Sequence, residues 1–155
     1  MDDAVKSPQL LAIRLIHDAE AYVECAQLLD KVQGGAPKFH SPTYFLLCQS
    51  IELTLKAYLA ASGVSAKTLR DQRMRHNIEL LFRYARRCFG LAPTDPRFPP
   101  LVRWLSPHHL DHSFRYRKGA GFLELPVVSE SANIIIHTVA EIELHVRREF
   151  LKTRS

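Results

Sequence analysis

The sequence predicts an all-α fold, a single-domain bundle of about five helices spanning residues 1–155. Three observations carry that reading. Apolar residues recur at spacings of three and four over four long stretches, the period of a helix buried along one side. Ser-Pro pairs at Ser7-Pro8, Ser41-Pro42 and Ser106-Pro107 each offer a helix start. There serine can cap free N–H groups, and proline at the first helical position gives up no hydrogen bond. Glycines stand where stretches end, at Gly34-Gly35, Gly63 and Gly90.

The first helix is predicted from Pro8 to Lys31, with Leu11, Leu15, Ala19, Tyr22, Ala26 and Leu29 as its stripe. A loop follows through Pro37 to His40. The second runs from Pro42 to Ser62. Tyr44, Leu47, Cys48, Ile51, Leu55, Tyr58 and Leu59 form its stripe, and Phe45, Leu53, Ala57 and Ala60 widen it. A helix apolar around most of its circumference belongs in the middle of a bundle. Among its few polar residues, Glu52 precedes Lys56 by four, the favourable order for a helical ion pair. Residues 64–75 read as a basic connector. A third helix covers Asn77 to Phe89, and the prolines at 93, 96, 99 and 100 make the next stretch a loop. A short helix from Leu101 is expected to break or kink at Ser106-Pro107 and to continue to Phe114. The glycine-bearing stretch from Arg115 to Pro126 holds the one β candidate, a short hairpin near 120–126. The last helix runs from Ser129 to Leu151, with Ala132, Ile135, Ile136, Val139, Ile142 and Val146 facing the core.

At 155 residues the chain is the size of one ordinary domain, and its 46% hydrophobic residues suffice for a core. No apolar run approaches the roughly 20 residues that span a bilayer. The charged Met1-Asp2-Asp3 start lacks the apolar stretch of a signal peptide, so no membrane association and a cytoplasmic location are expected. Cys25, Cys48 and Cys88 are odd in number and lack CxxC spacing, which points to small buried hydrophobes in a reducing compartment. The net charge of +5 is uneven: −4 over residues 1–30, +5 over 67–87 and +3 over 101–118. Such a division suggests a polyanion partner or self-association between opposite faces.

The stretch from Ile51 to Leu59, Gly63, then Arg75-His76-Asn77-Ile78 and Leu80-Leu81 resembles the central signature of HEPN domains. In that family a Glu-x-x-x-Lys-Ala helix is followed by a glycine, a variable linker and a histidine at the start of the next helix. Glu52, Lys56, Ala57 and His76 carry the match, and Phe114-Arg115-Tyr116-Arg117 is similar to a later aromatic-Arg-Tyr segment. The resemblance implies a bundle of four or five helices, a homodimer, and a prokaryotic defence or toxin–antitoxin setting with a nucleotidyltransferase-type antitoxin as partner. It also implies two kinds of member. Some are metal-independent endoribonucleases using an Arg followed four to six residues later by His. Others are non-catalytic RNA-binding or protein-interaction modules.

Three frames could supply that pair. Arg103 to His108 has Trp104 at a place usually polar and Pro107 within it. Arg70 to His76 lies too early in the chain. His112-Ser113-Phe114 fits the end of the motif but has no arginine at the required distance upstream. The motif is therefore expected to be degraded, with Arg103, His108 and His112 as the catalytic candidates. Arg73, Arg75, Arg115, Arg117 and Lys118 are the nucleic-acid candidates, the last three interleaved with Tyr116 as single-strand binding requires. Glu52, Lys56 and His76 are read as a structural polar group, because a carboxylate on a mostly buried helix needs a partner. His108, His109, Asp111 and His112 cluster in sequence, and two histidines four apart could share a metal. That spacing is common by chance and no HExxH is present, so the cluster is read as nucleic-acid-facing or as buried and hydrogen-bonded, with no metal site and no cofactor expected.

Overall fold

Long apolar stripes leave the helices one economical arrangement, packed side by side around the most apolar of them. The computed structural model describes residues 7–33, 40–114 and 124–154. It contains α1 (Pro8–Gln33), α2 (His40–Ala61), α3 (Ala66–Leu69), α4 (Ile78–Phe89), α5 (Phe98–Leu110) and α6 (Val128–Lys152), with no strand among the described residues. The all-α bundle is as the sequence predicts. The sixth helix is α3, a single turn inside the basic connector, where Ser65 Oγ accepts from Thr68 N. Most of the hairpin expected at 120–126 lies outside the described residues, and Glu124, Leu125 and Pro126 carry no regular structure.

The central helix is α2, as its composition requires. It packs on α1, α4, α5 and α6, and its Leu47, Ile51, Leu55 and Leu59 are fully buried. In α1 the deep stripe is Ala12, Ile16, Ala19, Val23 and Ala26: it keeps Ala19 and Ala26 as expected but takes Ala12, Ile16 and Val23 where Leu11, Leu15 and Tyr22 were expected, and Leu11 and Leu15 flank it. The small residues bring the helices close: at Ala19 the approach lets Ser50 Oγ of α2 donate to Ala19 O at 2.7 Å. Ser7 caps α1, its Oγ accepting from Leu10 N at 3.3 Å. Of the cysteines only Cys48 is buried, and Cys25 and Cys88 are exposed, which corrects the expectation for two of the three. No helix among the described residues is long and apolar enough to cross a membrane.

Two departures shape the site. First, α5 starts at Phe98, earlier than expected, because Pro99 and Pro100 fit its first turn. It also runs unbroken through Pro107 to Leu110. Ser106 therefore does not cap its own helix. Its Oγ accepts from Glu79 N at 3.2 Å, beside the Asn77 Oδ1 that accepts from Leu80 N at 3.0 Å, so α5 helps cap α4. Second, α2 and α5 end in the same way. Val64 N donates to Leu59 O across Gly63 (φ 96), and Ser113 N donates to His108 O across His112 (φ 60). This is the helix stop that normally places glycine in the left-handed position. In α5 a histidine occupies it.

Candidate functional site

Glu52 lies on the buried side of α2 with only 4% of its surface exposed, and a carboxylate there must be satisfied by neighbours. Three elements supply them. From the next turn of α2, Lys56 Nζ stands 2.6 Å from Oε1. From the turn before α4, His76 Nδ1 stands 3.2 Å from Oε2. From the last turn of α5, His109 Nε2 stands 2.7 Å from the same Oε2. Burial alone would raise the Glu52 carboxyl, but the His109 hydrogen bond and the Lys56 charge and hydrogen bond outweigh it and hold the group down at about 2. Glu52 is thus ionised at neutral pH and can only accept, which fixes His76 Nδ1 and His109 Nε2 as donors.

The histidines extend the group outward. The His76 and His109 rings meet edge to face at 5.3 Å, and His76 and His112 do so at 5.1 Å. Phe45 of α2 lies 6.4 Å from the His109 ring. His76 and His112 are the only non-glycine residues with positive φ among those described, at 59° and 60°. Side chains avoid that backbone at a cost of roughly 1–3 kcal/mol, and residues held there cluster at functional sites. Exposure rises along the line, from the buried Glu52 and His109 through the half-buried His76 and His112 to the exposed Arg75.

The basic connector that precedes His76 in the chain forms an open groove of ≈ 560 Å³ lined by Lys67, Thr68, Asp71, Arg73, Met74 and Leu80. Between residues 67 and 75 four cations stand against Asp71 alone. Arg73 Nε is 3.5 Å from Asp71, with 89% of the arginine side chain exposed.

The predicted residues divide clearly. Glu52, Lys56 and His76 come together as one polar group, and His112 joins them through His76. Arg73 and Arg75 are exposed on the adjoining turn. Arg103 is exposed on α5, and His108 packs its ring 5.5 Å from Phe114. No contact joins Arg103 to His108 among the described residues. Arg115, Arg117 and Lys118 lie outside the described residues. Sequence reasoning reads His109 only as one member of the histidine cluster and not as a partner of Glu52. Its signal was present: Leu101, Leu105 and His109 follow one another at intervals of four, so the buried side of α5 continues into the histidine.

Fold and site together define an all-α bundle whose central helix carries a buried carboxylate ringed by histidines, with a basic groove alongside. Compared with protein-family models, with curated proteins and with solved structures, the chain matches none.

Proposed function

We propose that this chain is a HEPN-like helical domain that binds single-stranded RNA along the groove between α3 and α4, with the histidine line at one end of it. The supporting observation is the groove itself. Lys67 and Arg73 border an apolar floor of Met74 and Leu80, and Arg75 and His76 continue the same segment. A groove of cations that can track a phosphate backbone is one of the two parts that sequence-tolerant binding to single strands uses. Homodimerisation and a nucleotidyltransferase-type partner enter as part of the same proposal, on the strength of the HEPN resemblance.

Salt dependence tests the proposal. Four phosphate contacts on a single strand predict that affinity falls about 50-fold between 50 and 200 mM salt. Replacing Lys67 and Arg73 by glutamate should weaken binding and flatten that slope by about half, as two of four contacts are lost. An affinity for a labelled oligonucleotide that ignores both salt and the double substitution sinks the RNA reading in favour of a protein partner.

A second reading, a metal-independent endoribonuclease, has one observation in its favour: His112 is held in left-handed backbone with its ring against His76. A histidine so placed could exchange a proton with a ribose 2′-OH, with the phosphate-binding arginine supplied across a dimer. Cleavage of structured RNA in EDTA, lost in His112→Ala, is its signature. Intact RNA at high protein concentration removes it.

A further inference from the structure

We propose that Glu52, His76 and His109 form a binding site for a divalent transition-metal ion of the zinc class. The ion would be held by Glu52 Oε2, His76 Nδ1 and His109 Nε2. One ligand atom from each residue lies within 4.8 Å of the other two. Tetrahedral zinc with bonds near 2.0–2.1 Å sets its ligand atoms about 3.3 Å apart. The 3.2 Å from His76 Nδ1 to Oε2 already meets that spacing, and the 2.7 Å from His109 Nε2 needs to open by about 0.6 Å.

The donor set selects the class of ion. Two imidazoles and one carboxylate, with a fourth position left to water, are the ligands of open zinc sites. Calcium and magnesium require more oxygen ligands than this group offers. Glu52 enters as the carboxylate ligand without losing Lys56, because the ammonium sits on Oε1 while both histidines share Oε2. Binding moves the His76 proton from Nδ1 to Nε2 and the His109 proton from Nε2 to Nδ1, so neutral rings release none. The ion would take over the role of the two N–H groups now crowded on one oxygen.

Placement supports the same site. Glu52 and His109 are buried, with side chains 5% and 3% exposed, and His76 is 20% exposed, so entry is from the His76 side. The histidine that opens the site is also one of the two held in left-handed backbone. The three ligands come from α2, the turn before α4 and the end of α5, so a bound ion would fasten these elements together. The site does not depend on RNA binding.

The full chain, stripped with EDTA and dialysed, is titrated with zinc by calorimetry and with cobalt(II) by visible absorption. The expected result is one equivalent of each metal and the intense absorption bands of four-coordinate cobalt. His76→Ala and Glu52→Gln should each weaken binding on the order of 100-fold or more, beyond what loss of a supporting residue does. His17→Ala and His137→Ala, on exposed helix surfaces, should leave it unchanged. His76 lies in a half-exposed turn, so its variant tests the site even if Glu52→Gln does not fold, with circular dichroism reporting the helices. No binding above that of a surface histidine, or binding that His76→Ala leaves intact, overturns the proposal.

Discussion

Replacing Glu52 by alanine should cost the protein more stability than the loss of any other charged side chain. The carboxylate is buried and serves Lys56, His76 and His109 at 2.6, 3.2 and 2.7 Å. Deleting one partner of a buried pair costs roughly 3–5 kcal/mol, because the cations and donors left behind are desolvated and unpaired. Lys56 and His76 keep 14% and 20% of their side-chain surface and can turn partly to water, which favours the lower end. Linkage gives an independent figure. A carboxyl held at about 2, against an ordinary 4.5, contributes about 3 kcal/mol when fully ionised in both states. Because the folded value is the lower one, that contribution is complete above about pH 4.5 and is lost as pH falls from there towards 2. For a domain of this size about 3 kcal/mol corresponds to a fall in Tm of roughly 6–12 °C. Thermal melts of wild type and Glu52→Ala, followed by circular dichroism from pH 7 to pH 2.5, read both effects. The gap in Tm should be largest at pH 5–7 and most of it should close by pH 2.5. A gap below 2 °C at pH 7, or one that does not narrow in acid, refutes the assignment of Glu52 as the ionised anchor of the histidines.

Two further substitutions probe the frame around that anchor. Leu47→Ala removes a fully buried side chain from α2 and should cost about 3 kcal/mol, whereas Leu144→Ala, at a site 64% exposed, should stay within about 0.5 kcal/mol. Equal losses from the two in a denaturant melt contradict α2 as the central helix. At His112, glycine should exceed alanine in stability by about 1 kcal/mol, since both lose the ring but only glycine accepts the left-handed backbone freely. A chemical melt that ranks alanine above glycine argues against that backbone.

Much of the fold was readable because helices announce themselves locally. The ends of α2 and α4 at Gly63 and Gly90, the cap at Ser7 and the stripe of α6 all rest on residues within a few positions of one another. What failed was set at longer range. Ser106 caps α4 rather than its own helix because folding brings Glu79, 27 residues away, to its hydroxyl. In α1 Ala12, Ile16 and Val23 are buried where the larger Leu11, Leu15 and Tyr22 were expected, because α1 lies against α2 closely enough for Ser50 to bond Ala19, an approach that hydropathy does not advertise. The site divides in the same way. Glu52 and Lys56, four residues apart, were predicted as a pair and are one. The contact to His109 spans 57 residues and no local pattern reports it. Arg103 and His108 were singled out by a linear motif, and the fold keeps one on the surface while the other packs on Phe114.

Glu52, Lys56 and His76, which the sequence marks as one polar group, are therefore also the residues around which His109 and His112 gather. Glu52 stabilises three elements at once, and the rings it orients lead outward to His112, while the exposed Arg75 precedes His76 in the chain. Burial explains why this arrangement is one-sided. With Glu52 and His109 nearly closed off, the group meets solvent through His76, His112 and the partly exposed Lys56. His76 and His112 are the two side chains that stand on left-handed backbone, where the turn alone would be better served by glycine. A purely structural carboxylate needs its hydrogen bonds, which His109 and Lys56 already provide. It does not need a second and third histidine carried on unfavourable backbone at its solvent-facing edge, and that surplus is the strongest physical reason to read this end of the bundle as a site.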